Sequence, residues 1–144
     1  MILAESSIRI GRPADQVFAF ADDPANAKAW LENAIEIVQL SAGARGVGTT
    51  LRYAYMQGGR RGDMDGTITA RTSGSVLEMR FTDRMFIVVV AIRCTGEGGS
   101  TKVTHSIGIE TKSFLMKLFS PLIRRGNRRQ VEKNLSRLRA HLEG

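Results

Sequence analysis

Up to residue 111 the apolar residues of this chain alternate with polar ones in short runs; beyond it they recur every three or four positions. The first pattern is that of strands with one buried face, the second that of a helix with one buried stripe. Residues 4–10 form the opening run, which ends at Gly11. Pro13 then suits the first turn of a helix in which Val17, Phe18 and Ala21 share a face, and Asp23-Pro24 stops it. A second short helix over 26–31 carries Trp30. From residue 34 to residue 111, turn clusters at 43–48, 57–59, 73–74, 82–84 and 96–99 separate six further runs, each near enough to the next for an antiparallel hairpin. The pattern predicts an α+β protein: a seven-stranded antiparallel sheet, two short helices after its first strand, and a long C-terminal helix.

Alternation also assigns the faces of the sheet. Met64, Ile68 and Ala70, then Leu77, Met79 and Phe81, then Phe86, Val88, Val90 and Ile92 make one apolar side, with Asp63, Asp65, Thr67, Glu78, Arg80 and Arg93 opposite. In the last strand Val103, His105, Ile107 and Ile109 face inward. Leu51, Tyr53 and Tyr55 share one face of the third strand, which brings two phenols beside any interior space. The closing helix, read from Met116, presents Phe119, Ile123, Asn127, Val131, Leu135, Leu138 and Leu142 as one stripe. Asn127 interrupts that stripe. A buried, unpaired amide costs on the order of 1–3 kcal/mol, so Asn127 is either a satisfied core group or the rim of a wet cavity. His105 is expected to point into the same space. One helix does not fill the concavity of seven strands, so a cavity is expected between them. With no internal repeat, low-complexity tract or linker, residues 1–144 read as one domain.

Charge changes the picture of the closing helix. Residues 112–144 hold nine Lys/Arg against Glu132 and Glu143, which accounts for the whole formal net charge of +7. Its first part, with Phe114, Leu115, Met116, Leu118, Phe119, Leu122 and Ile123, is apolar around more than one face, and Arg124, Arg125, Arg128 and Arg129 follow at once. Such a segment suits an anionic membrane surface or a partner; equally, it can plug a cavity mouth with its arginines on a solvated back face. Nucleic acid is disfavoured, because aromatics make only 6% of the chain and none interleave with basic residues on the strands. The longest apolar run, Met85 to Ile92, falls far short of the ~18 residues of a membrane span. No apolar leader opens the sequence, and the expected location is the cytoplasm.

Particular residues resemble one superfamily. The opening Ile8-Arg-Ile10-Gly-Arg-Pro13-Ala-Asp-Gln-Val17-Phe18, followed by Asp23-Pro24 and Trp30, is similar to the start of START-like (SRPBCC, Bet v-type) proteins. Gly46-Val-Gly48-Thr49 resembles their glycine turn before the third strand. Leu118-Phe-Ser-Pro121-Leu-Ile-Arg124-Arg125, continued by Leu135-Ser-Arg-Leu138, resembles the ending of the polyketide cyclase/dehydrase-like branch. This resemblance spans essentially the whole chain and implies a helix-grip fold, in which a curved sheet wraps around the C-terminal helix. It carries no universal catalytic motif, and such proteins include cyclases, dehydratases and lipid binders.

The candidate chemistry is sparse. Gly43–Gly48 is followed by a strand rather than a helix and so reads as a hairpin turn, not a dinucleotide fingerprint. Asp63 and Asp65 share a face, but it is the solvent side, with Arg60, Arg61 and Arg71 nearby to pair with them. Two histidines and the lone Cys94 make no cluster at metal-ligand spacing, so no metal is expected. No cofactor is implied. His105 is the one candidate acid/base, against the plainer reading of a satisfied core histidine. Trp30 either gates one end of the cavity or seals the core. The expected function is binding of a small apolar ligand, lipid-like, aromatic or polyketide-like, lined by Trp30, Tyr53, Tyr55, Met64, Ile68, Met79, Phe81, Val88, Val90, His105, Ile107, Phe119, Ile123 and Asn127. Two alternatives stand beside it: a cyclase/dehydratase using His105, and a membrane- or RNA-associated accessory protein acting through Arg124, Arg125, Arg128 and Arg129. Either a monomer or a homodimer is compatible with the sequence.

Overall fold

Each alternating run becomes a strand. The structure, a computed structural model, describes residues 1–144. Strand β1 (Ile2–Ile10) leads to α1 (Ala14–Asp22), a 3₁₀ turn (Pro24–Asn26) and α2 (Ala27–Trp30). Strands β2 (Ala34–Gln39), β3 (Thr50–Gln57), β4 (Arg60–Thr72), β5 (Val76–Thr82), β6 (Phe86–Glu97) and β7 (Ser100–Thr111) follow. A second 3₁₀ turn (Leu115–Phe119) opens α3 (Ser120–Glu143). The strand order is β1-β7-β6-β5-β4-β3-β2, with all neighbours antiparallel. The meander therefore needs only hairpins, and the first strand closes against the last. The expected α+β helix-grip architecture is the observed one.

Pro13 sits at the N-cap of α1 in extended conformation, a φ that its ring already imposes. The Asp23 carboxylate accepts the Ala25 N–H and starts the 3₁₀ turn. The predicted second helix over 26–31 is observed as α2, Ala27–Trp30, with the Asp23-capped 3₁₀ turn leading into it. Val17 and Phe18 of α1 and Trp30 of α2 join Ile10, Phe81, Ile92, Val103, Leu135 and Leu138 in one core.

Helix α3 packs along β1, β7 and α2, and its two halves differ. From Val131 onward Val131, Asn134, Leu135 and Leu138 are buried; before it only Asn127 is. The predicted stripe holds from Asn127 onward. Upstream it fails, because residues 115–119 wind as a 3₁₀ turn, whose three-residue period rotates side chains off an α-helical stripe. Phe119 is accordingly 52% exposed.

Strand β4 departs from strict alternation. A bulge between Ile68 and Ala70 places Ala70 opposite Glu78 and Arg71 opposite Leu77, since one extra residue exchanges the faces beyond it. The inward assignment of Ala70 is therefore corrected: Arg71 takes the inner face. There it does not pair with Asp63 or Asp65 but forks onto Asp22, its Nε and Nη2 donating at 3.0 and 2.9 Å. Arg45, from the glycine turn, donates to the same carboxylate at 3.1 Å. Burial raises the Asp22 pKa, yet these hydrogen bonds and the two positive charges outweigh burial and hold it below the ordinary value. The outer carboxylates have other partners: Asp63 pairs with Arg61 and Asp65 with Arg52.

Two glycines of β4 let rings lie flat on the sheet. A Cβ at Gly62 would fall 2.4 Å from the Tyr55 ring, and one at Gly66 would fall 2.3 Å from Phe81. Both rings belong to the register partners of these glycines on β3 and β5.

Candidate functional site

Because α3 rests on β1 and β7 and its N-terminal half stands off, the inner face of the other strands is left partly uncovered. A cavity of about 670 Å³ occupies this space. Its floor is the sheet: Tyr53, Tyr55 and Gln57 of β3, Met64 of β4, Phe81 of β5, Phe86, Val88 and Val90 of β6, and Ile107 and Ile109 of β7. Its roof and mouth are Leu122, Ile123, Gly126, Asn127, Arg129, Gln130 and Lys133 of α3, with Met116 and Leu31, Glu32 and Asn33 at the sides. Thirteen of the 21 lining residues are hydrophobic, and five of the other eight, Gly126, Asn127, Arg129, Gln130 and Lys133, belong to α3. Of the residues singled out in the sequence, Tyr53, Tyr55, Met64, Phe81, Val88, Val90, Ile107, Ile123 and Asn127 border this one cavity.

Other expected members lie elsewhere. Trp30, Ile68 and Met79 border a separate void of only about 10 Å³ beside Asp22 and Arg45. Phe119 points outward. His105 is fully buried and does not line the large cavity, so the expectation that it shares that space with Asn127 is corrected. The reason is Asn134, a second polar residue on the buried face of α3 that sequence reasoning missed; its spacing of three and four from Val131 and Leu138 was the available signal. His105 Nδ1 donates to the Ala91 carbonyl at 2.9 Å, and its Nε2 accepts from Asn134 Nδ2 at 3.1 Å. Asn134 Oδ1 in turn accepts the Glu32 N–H at 2.9 Å. Every atom of this chain has one role, and the tautomer is the neutral Nδ1–H form. Burial, only partly opposed by the Ala91 hydrogen bond, pushes the imidazole pKa down to about 4. Trp30 packs edge-on against the ring at 5.1 Å.

Asn127 resolves as a bonded group that also borders the cavity. Its Nδ2 donates to the Ile107 carbonyl at 2.8 Å and to that of Ile2 at 3.3 Å, tying α3 to β7 and β1. Its buried Oδ1 has no partner. The two phenols of the floor differ. Tyr55 donates to Asp83 at 3.4 Å, whereas Tyr53 makes no side-chain hydrogen bond and packs on Phe81 with ring centroids 5.1 Å apart. Burial, with the charge of Tyr55 adding to it, lifts the Tyr53 pKa to about 12. Tyr53 is thus a neutral phenol in an apolar wall, able to donate to an acceptor oxygen. Cys94 lies buried outside this space, with its thiol pushed up to about 11 by burial, which makes it an inert hydrophobe.

Arg124, Arg125, Arg128 and Arg129 are exposed on α3, and Arg129 borders the mouth. None of the four forms an ion pair; Lys133, also at the mouth, pairs with Glu32 at 3.1 Å. No helix is long and apolar enough to cross a membrane.

The same architecture recurs in solved structures. A START superfamily protein from Mycobacterium smegmatis superposes with a TM-score of 0.82 at 13% identity, over 98% of this chain and 97% of that one. The Zhui aromatase/cyclase from Streptomyces sp. R1128 gives 0.81 at 12% identity, over 98% and 93%. A STAR-related lipid transfer protein fragment from Xanthomonas axonopodis gives 0.71 at 13%, over 97% and 85%. At these identities the likeness is one of fold. No curated protein sequence matches the chain significantly. The family model described as polyketide cyclase / dehydrase and lipid transport, however, matches residues 1–143, and the chain belongs to that family.

Proposed function

We propose that the protein binds a small, predominantly apolar ligand in the cavity beneath the N-terminal half of α3. The observation that carries this reading is the cavity itself: about 670 Å³, partly open to solvent and floored by aliphatic and aromatic side chains. Its volume lies in the range of pockets that hold drug-sized molecules. Tyr53 refines the ligand's chemistry. An unpaired phenol in an apolar wall is best matched by a ligand carrying one acceptor oxygen, such as a carbonyl or carboxyl group, on a hydrocarbon or aromatic body. The family's lipid-transport and polyketide members support a ligand of this kind.

Proton transfer by His105 is not part of the proposal. Both of its nitrogens are engaged, its ring is sealed behind the cavity wall, and its conjugate acid is disfavoured at neutral pH.

Titration with cis-parinaric acid, a fluorescent fatty acid, tests the reading. Saturable binding is expected. Val90→Trp, which fills the floor, should abolish it, and Tyr53→Phe should weaken it by about three- to tenfold, the worth of one hydrogen bond. An affinity unchanged by Val90→Trp, in a variant that remains folded, overturns the site.

A further inference from the structure

We propose that the 3₁₀ turn and the first turns of α3 dock the protein on an anionic lipid bilayer, with the mouth of the cavity against the membrane. Five large apolar side chains stand out from this segment: Phe114 is 80% exposed, Leu115 70%, Leu118 71%, Phe119 52% and Leu122 66%. They follow one another at spacings of one and three within nine residues, so they form one cluster rather than scattered exposures, and exposed clusters of this kind mark interaction sites.

The occupant is set by charge. Between Glu110 and Glu132 the chain has no acidic residue and six Lys/Arg. Among them, Lys117, Arg124, Arg125, Arg128 and Arg129 make no ion pair; the pairs that exist lie elsewhere. Apolar side chains bordered by unneutralised cations match the layering of an anionic membrane surface, acyl region beneath and phosphates above. A second copy of the chain fits poorly, since a two-fold contact through this face would bring two sets of cations together with no acid between them. RNA fits poorly as well, because three of the five apolar groups are leucines, which offer no stacking plane.

The cluster is also continuous with the cavity. Leu122 belongs to both, and Met116 and Ile123, interleaved with the exposed residues, line the mouth. Docking by this lip therefore brings the mouth to the bilayer, where an apolar ligand can pass between membrane and protein without crossing water. That exchange rests on the binding reading above; docking itself does not.

Co-flotation with phosphatidylcholine vesicles, with and without phosphatidylglycerol, tests the proposal. The wild type is expected to float with the anionic vesicles only. Arg124→Gln/Arg125→Gln/Arg128→Gln should reduce partitioning by about tenfold or more, as should Phe114→Ser/Leu118→Ser, given the apolar area each removes from lipid contact. Residual binding of the serine variant should vanish in high salt, while part of the wild-type binding survives it. In Phe114→Trp, emission should shift to the blue when vesicles are added. Uptake of cis-parinaric acid without vesicles should stay at the wild-type level in both multiple variants, which separates failed docking from a failed pocket. Absence of wild-type binding to anionic vesicles overturns the proposal. So does equal binding to neutral ones, tighter binding to an RNA oligonucleotide, or a concentration-dependent dimer that buries the Phe114→Trp indole in the absence of lipid.

Discussion

Gly126 separates the stability of the protein from the use of its cavity. It lies inside α3, is not among the glycines with positive φ, and a Cβ built there meets nothing within 4 Å. No constraint of the fold requires glycine at this position. Glycine in a helix interior is about 0.8–1.0 kcal/mol less favourable than alanine, so Gly126→Ala should stabilise the protein by nearly that amount. At roughly 2.1 cal/mol/K per residue, a chain of 144 residues has an unfolding entropy of about 300 cal/mol/K, and the gain corresponds to a rise in Tm of about 3 °C. Gly126→Leu keeps most of the helix gain but sends an isobutyl group into the cavity mouth, between Ile123 and Gln130. Its affinity for cis-parinaric acid should fall by about tenfold or more, equivalent to ~1.4 kcal/mol. Calorimetry and fluorescence titration of the two variants then move in opposite directions. A lower Tm for Gly126→Ala would show that the helix is not regular at this point. A stable Gly126→Leu protein with undiminished affinity would remove the cavity mouth from the binding site.

Two further predictions concern the core. The unfolded chain protonates His105 near 6.5 and the folded protein only at about 4, so its contribution to stability is complete above pH 6.5. It is lost as pH falls from 6.5 to about 4, by about 3 kcal/mol in all. Urea denaturation across that range measures the loss, and an imidazole seen by NMR to titrate near 6.5 in the folded protein would refute it. Gly66→Ala should destabilise by roughly 1–3 kcal/mol through forced displacement of the buried Phe81 ring, whereas Gly99→Ala, whose Cβ meets nothing within 4 Å, should change Tm little.

The strands, their order and most of their inward faces were legible because alternation continues unbroken wherever the ladder does. Tyr53, Met64, Phe81, Val88, Val90 and Ile107 meet at the cavity for that reason alone. Beyond Ile68 the reading failed by one residue: a bulge resets the parity, and nothing in Thr69-Ala70-Arg71 announces it. His105 was assigned the right face but the wrong neighbourhood, because depth beneath that face depends on where α3 lies. Asn134, which reaches back to the imidazole, settles this, and a polar residue beside an apolar stripe is ordinarily read as outward. Phe119 was misplaced for a related reason. Four residues before Ile123 it sits on the stripe of a regular α-helix, yet residues 115–119 wind as a 3₁₀ turn and leave its ring exposed.

The division of α3 into two halves bears on how sequences of this shape can change. Val131, Asn134, Leu135 and Leu138 anchor the helix, and Ile123, Gly126 and Gln130 border the open space; only Asn127, bonded to β1 and β7, belongs to both sets. Substitutions in the second set alter the width and polarity of the mouth without disturbing the first, so new mouth chemistries can be sampled one residue at a time on a chain that still folds. Relatives holding the anchoring turns constant can therefore drift apart at the other end of the same helix.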